Sequence, residues 1–240
     1  MCTITVVPHE RGVRLVCNRD ERRTRPAALP PRIHHLGGHP ALFPRDPQGG
    51  GTWIGVNGAG IAVALLNRCR TVDANDTTPK RSRGLVVREL LRCTSLSQAA
   101  AAVEALDPRA FEPFQVVIVG ERRVLAATSA AGTRIRCTAQ RFAKPLLFTS
   151  SSLGDRLVDG PRRRLFDRLV VRSRAGWLSG QAQFHEHQWR DRPDISVRME
   201  RDDARTVSRT KIDVTNDGAL VQYEALGFGA CEPENLTPRT

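Results

Sequence analysis

The order of its segments predicts a layered α+β domain with helices packed on sheets. Three observations carry that expectation. Short β-branched runs open the chain and return in its middle and near its end. Two pairs of helical segments separate them. Residues 61–66 are continuously apolar, as expected of a strand covered on both faces.

Residues 3–7 and 13–17 read as two strands of a hairpin around the loop Pro8-His9-Glu10-Arg11-Gly12. Pairing Val7 with Val13 sets Ile4 against Val16 and Cys2 against Asn18, beside Arg19-Asp20-Glu21. Residues 22–50, rich in Arg, Pro and Gly, read as a long irregular connection. A second hairpin follows, with strands at 52–57 and 61–67 around Gly58-Ala59-Gly60. Ser82 is placed to cap a helix over 83–93, and Ser95 or Ser97 one running to Leu106, stopped by Asp107-Pro108. Strands are expected at 114–119, 124–128, 133–137 and 146–150. Helices are expected from Pro161 to about Arg172 and over 181–189, then strands at 196–199, 205–214 and 220–225. The whole chain, 1–240, reads as one domain with a flexible tail from about residue 230.

The chain carries 37 Lys and Arg against 25 Asp and Glu, a formal net charge of +12. Only Lys80, Lys144 and Lys211 are lysines. The charge is spread along the chain with no basic arm, so nucleic acid is not the expected partner; a small-molecule ligand is. No apolar stretch is long enough to span a bilayer, and the first residues lack the pattern of a signal peptide. A cytoplasmic protein with reduced thiols is therefore expected. The six cysteines form no CxxC pair, and no metal site is expected.

Position 2 holds the sharpest chemical feature. Removal of Met1 makes Cys2 the first residue, with a thiol and a free α-amine whose proton affinities are well matched. The amine then serves as the base for its own thiol, and no histidine is needed. A carboxylate in the 18–21 cluster could orient that amine, and an arginine there could favour the thiolate. Asn67, the polar residue ending an apolar strand, suits an oxyanion donor.

Cys2-Thr3, Asn18-Arg19-Asp20-Glu21, Gly51-Thr52-Trp53-Ile54-Gly55-Val56-Asn57, Gly60, Asn67-Arg68, Ser82-Arg83-Gly84 and 203–208 together resemble the NRDE, or transport-and-Golgi-organisation, family. The resemblance implies a four-layer αββα sandwich of the N-terminal-nucleophile hydrolase type, related to choloylglycine and penicillin-V acylases. It implies catalytic roles for Cys2, Arg19, Asp20 and Asn67, and substrate contacts from Asn18, Glu21, Ser150, Ser151 and either Arg205 or Arg209. Where the relatives carry a second asparagine, this chain reads Thr149-Ser150-Ser151-Ser152. The implied activity is a cysteine amidohydrolase acting on an amide or acyl bond of a small anionic substrate, with no required cofactor. The alternative is a non-catalytic carrier of a lipid-like or haem-like ligand, with haem as cargo.

Other motifs carry less. His34-His35 with His39, and His185 with His187, lack zinc-like spacing to further ligands. Arg162-Arg163-Arg164 reads as a solvated helix face.

Overall fold

The computed structural model describes residues 2–68, 79–120, 122–129, 134–173, 175–227, 229–230 and 232–237. Among them, two seven-stranded antiparallel sheets lie face to face. The first contains β1 (Cys2–His9), β2 (Gly12–Arg22), β10 (Leu146–Thr149), β11 (Ala204–Thr215), β12 (Gly218–Ala225), β13 (Gly229–Ala230) and β14 (Glu234–Leu236), with path β10-β1-β2-β11-β12-β13. The second runs β3 (Leu29–Leu36), β4 (His39–Arg45), β5 (Ile54–Asn57), β6 (Ala62–Asn67), β7 (Phe114–Gly120), β8 (Arg123–Thr128) and β9 (Arg136–Arg141) in chain order.

Three apolar clusters correspond to the three interfaces of an αββα sandwich. Between the sheets lie Cys2, Ile4, Val6, Leu15 and Cys17 from one side and Ala62, Ala64 and Leu66 from the other. On the outer face of the second sheet, Ile61, Val63 and Leu65 meet Val86 and Val87 of α1 (Gly84–Leu90) and Val103 of α2 (Leu96–Glu104). The continuous apolar run 61–66 therefore feeds two cores at once, as its composition predicts. On the outer face of the first sheet, Val7 and Leu147 pack on Leu165 and Phe166 of α3 (Asp155–Phe166) and Phe184 of α4 (Trp177–Glu186). Ser95 caps α2, its Oγ accepting from the Gln98 N–H at 3.2 Å.

The first hairpin differs from its expected register by one residue. It turns at Glu10-Arg11, so His9 pairs with Gly12, Ile4 with Cys17 and Cys2 with Arg19. Pro8 stays in the strand because β1 pairs with β10 only over residues 3–6, which leaves its N–H side without a neighbouring strand at that point. Because side chains alternate, the shift changes faces: Cys2, Cys17 and Arg19 share the inner face, while Asn18 and Asp20 belong to the helix-covered one.

Residues 22–50 are not irregular. They contain the hairpin β3–β4, turned by Gly37 and Gly38, whose positive φ values of 60° and 85° suit such a turn. Pro30 and Pro31 are tolerated because β3 is an edge strand. The strand expected at 196–199 is absent; a 3₁₀ turn at Pro193–Ile195 precedes an isolated bridge between Glu200 and Arg205. The helix expected from Pro161 begins at Asp155, whose carboxylate accepts from the Ser151 N–H at 3.0 Å, and continues as a π-helical turn over Asp167–Val171. Residue 133, expected to start a strand, lies outside the described residues. Residues 234–236, expected in a flexible tail, pair with β12, and Leu236 is buried.

One close approach prepares the site. The Thr52 N–H donates to the Gly84 carbonyl at 3.2 Å, and a Cβ on Gly51 would stand 2.4 Å from the Gly84 carbonyl carbon. Backbone meets backbone there, with no flexible side chain to yield. Gly51→Ala is expected to cost about 1–3 kcal/mol of stability, read as a lower urea midpoint at unchanged slope.

Candidate active site

The start of β1, the ends of β2, β6 and β10, and the start of β11 converge at one end of the sandwich around a cleft of about 760 Å³. Cys2, Arg19, Asp20, Glu21, Asn67 and Ser151 line it. Six of the residues expected at the site are thus brought together. Ser150 is buried directly beneath, where it holds the first residue of β1. Its N–H donates to the Cys2 carbonyl at 3.2 Å, and the Cys2 backbone nitrogen lies 3.4 Å from its Oγ.

Cys2 is 5% exposed. Its thiol accepts a hydrogen bond from the Cys17 thiol, the largest of the influences that hold it below its ordinary pKa against the opposing effect of burial. Burial, reinforced by the same hydrogen bond, pushes the Cys17 thiol well above its ordinary value. Of the two neighbouring thiols, Cys2 is the one whose ionisation is favoured and Cys17 the one whose ionisation is opposed.

Arg19 lies opposite Cys2 on the same face of the sheet. Its guanidinium stacks over the Trp53 ring at 4.2 Å and reaches Glu21 at 3.4 Å and Asp46 at 3.5 Å. Arg25 completes the network, 2.5 Å from the same Asp46 oxygen. Burial opposes ionisation of Asp46, but the hydrogen bond and charge of Arg25, with the charge of Arg19, hold its carboxyl below the usual value. Arg19 is thus fixed from its face and its edge.

Asp20 is fully buried, and its carboxylate accepts from Thr206 Oγ1 at 2.7 Å. Desolvation raises its pKa, while the charge of Arg162 and the Thr206 hydrogen bond act in the opposite direction. Arg162 is 1% exposed, contrary to the expected solvated face. Its Nη1 donates to Thr149 Oγ1 at 2.7 Å and Thr3 Oγ1 at 2.9 Å, its Nε to the Ile195 carbonyl at 3.0 Å and its Nη2 to the Ser196 carbonyl at 2.7 Å. The helical spacing holds the missed signal: Val158, Arg162 and Leu165 fall at i, i+4 and i+7, on the buried stripe.

The structure does not bring Asn18, Arg205 or Arg209 into the cleft. Asn18 faces α4, its amide donating to the carbonyls of His185 and Val197 at 2.8 and 3.0 Å. Arg209 pairs with Glu224 at 2.6 Å and Glu186 at 3.0 Å on the outer face. The Arg205 guanidinium runs beside Gly227. The arginine that enters the cleft near the start of β11 is Arg201, whose Nη1 donates to Ser152 Oγ at 3.1 Å.

The histidines have other roles. His34 stacks on Phe43 at 4.2 Å, and His187 packs edge-on against Trp189. His185 is buried, with Nδ1 3.0 Å from Asn18 Oδ1 and Nε2 2.7 Å from Thr5 Oγ1. Because the Asn18 amide nitrogen already donates twice, its oxygen accepts, which puts the imidazole proton on Nδ1 and makes Thr5 the donor to Nε2. Burial, with the charges of Arg209 and Arg162, pushes the His185 pKa down to about 3. The unfolded chain binds this proton below about pH 6.5 and the folded chain does not, so stability falls as pH drops through that window. The expected slope from this residue is about 1.4 kcal/mol per pH unit between pH 6 and 4; urea titrations of His185→Gln should show a correspondingly flatter profile. Among the described residues, no group of three or more His, Cys, Asp or Glu side chains could hold a metal ion, and no helix is long and apolar enough to cross a membrane.

The same architecture occurs in solved structures of low sequence identity. The chain is similar to an N-acylethanolamine-hydrolyzing acid amidase ortholog from Caenorhabditis elegans (12% identity, 88% of this chain and 92% of that one, TM-score 0.62). It is similar to penicillin V acylase from Agrobacterium tumefaciens (13% identity, 95% and 84%, TM-score 0.54). It is also similar to a mutant conjugated bile acid hydrolase from Clostridium perfringens (12% identity, 99% and 92%, TM-score 0.53). These likenesses show the N-terminal-nucleophile hydrolase fold. No curated protein matches the chain. The family model described as Transport and Golgi organisation 2 matches residues 1–156, and the chain belongs to that family.

Proposed function

We propose that the protein is an N-terminal-cysteine amidohydrolase that cleaves a non-peptide C–N bond in a small anionic substrate. The observation that carries this reading is the placement of Cys2. Its thiol lines a roomy cleft, a neighbouring thiol favours its ionised form, and its backbone nitrogen lies within reach of a buried hydroxyl.

Once Met1 is removed, that nitrogen is the α-amine. It takes the thiol proton, and the sulfur attacks the substrate carbonyl carbon. The carbonyl becomes an oxyanion, held by the Asn67 side-chain amide and a backbone N–H. The ammonium returns the proton to the departing nitrogen as the C–N bond breaks, leaving a thioester on Cys2. Water, deprotonated by the same amine, then hydrolyses the thioester. Ser150 and Asp20 orient the amine, and Arg19 adds positive charge beside the sulfur.

Hydrolysis of a panel of N-acyl amino acids tests the reading. Asn67→Ala is expected to lower kcat about 10²–10³-fold without lowering the melting temperature, as loss of an oxyanion donor requires. Wild-type turnover by protein that retains Met1 would exclude the mechanism.

A further inference from the structure

The charges of the cleft are unevenly satisfied. Among the described lining residues, eight are cationic and five are acidic, a surplus of three. Asp46 and Glu21 are already engaged by Arg19 and Arg25, and Asp203 by Arg201. Arg68 pairs with Asp155; of the other lining arginines, Arg22, Arg81 and Arg83 stand outside these pairs. Among the described residues, none of these three has a carboxylate within ion-pair distance.

Arg83 is the most telling of them. It is half-buried at the cleft wall, and one of its five N–H groups donates to the Pro113 carbonyl at 3.1 Å. The Arg81 guanidinium lies over the Phe111 ring at 5.3 Å, an arrangement that leaves its edge donors free for an anion. Burial opposes the Arg83 charge, and Glu112 and Glu21 favour it from beyond ion-pair distance; a bound oxyanion in direct contact adds charge-assisted hydrogen bonds that these carboxylates do not make. Beyond Cys2, the apolar side chains of the lining are Trp53, Leu65 and Ala204, and Arg19 covers the Trp53 face.

We infer that the cleft takes a compact dianionic acyl compound, bearing a phosphate or two carboxylates, and that Arg83, assisted by Arg81, is the specificity-determining receptor for its charge. The inference rests on the hydrolase reading only for the position of the scissile bond; binding is tested separately.

The probes are N-acetylglutamate, O-phospho-N-acetylethanolamine, the neutral N-acetylglutaminamide and the apolar N-palmitoylethanolamine. They are titrated calorimetrically into Cys2→Ala protein, which cannot turn them over. The dianionic probes should bind at least about tenfold more tightly than either uncharged one, with affinity falling as salt rises. The stronger of the two dianions identifies phosphate or carboxylate as the preferred group. Arg83→Gln in that background should remove about tenfold of the preference and leave uncharged-probe binding unchanged, while Arg83→Lys should restore part of it. Arg81→Gln, at an exposed position, gives a smaller loss and guards against misfolding of the Arg83 variants, whose melting temperatures are measured alongside. Tighter binding of N-palmitoylethanolamine, equal loss for all probes in Arg83→Gln, or binding of none overturns the inference. Dianion binding through Arg83 with no wild-type turnover would overturn the hydrolase reading and leave this one standing. Turnover that favours the palmitoyl amide would overturn this inference and the small anionic substrate, and leave the N-terminal-cysteine chemistry standing.

Discussion

Cys2→Ala is expected to abolish turnover, with a loss of at least about 10³-fold, if Cys2 is the nucleophile as proposed, because it is the one thiol among the described lining residues. Alanine is small enough to preserve removal of Met1, so the variant keeps its α-amine and isolates the thiol. Folding should be nearly unaffected: Cys2 adds one small side chain to a core that already contains Ile4, Val6, Leu15 and Leu66. Cys17→Ala separates a second contribution. It removes the hydrogen bond that favours the Cys2 thiolate. Alkylation of Cys2 by iodoacetamide should then slow at pH 7, with the midpoint of its pH profile moved upward. A profile that does not move would show that Cys17 only packs the core.

The second large effect concerns stability. Arg162→Met should cost about 3–5 kcal/mol, because a side chain of similar length but no donors leaves two buried carbonyls and two buried hydroxyls without their partner. For a chain of this size that corresponds to a fall of roughly 6–20 °C in melting temperature. Arg162 ties α3 to β1 through Thr3, to β10 through Thr149, and to residues 195–196. These are the segments that position Cys2 and Ser150. Its charge also opposes the effect of burial on Asp20. A loss below about 1 kcal/mol in urea unfolding would contradict this account of the residue.

The fold was legible where periodicity is strong. Residues 61–66 announce a strand between two cores, and Ser95 announces the start of α2. The register of the first hairpin was not legible. Pro8 and Gly12 look like the limits of a loop, yet Pro8 lies beyond the reach of β10 and so remains in the strand. That single residue of slip decides which side chains enter the cleft. It puts Arg19, not Asn18, opposite Cys2, and turns Asn18 into a structural ligand of His185. The β3–β4 hairpin was hidden by its prolines, which mark breaks in a central strand but are admissible at an edge. Arg162 was hidden by its neighbours Arg163 and Arg164, which are solvent-facing; helical phase, not local composition, distinguishes it. Asn67, Ser150 and Ser151 could be located as strand ends, but their convergence with Cys2 depends on long-range pairing that spacing along the chain does not specify.

In the proposed mechanism residue 2 acts as a free N-terminal nucleophile. The most direct test is mass spectrometry of the intact protein, followed by peptide mapping, after brief incubation with an acyl probe that forms a stable thioester. A free N-terminal nucleophile gives a chain lacking Met1 that gains one acyl group, located on Cys2, with no adduct on Cys17 and none in Cys2→Ala. A chain that keeps Met1, or an acyl group that settles on another residue while Cys2 stays unmodified, would contradict it.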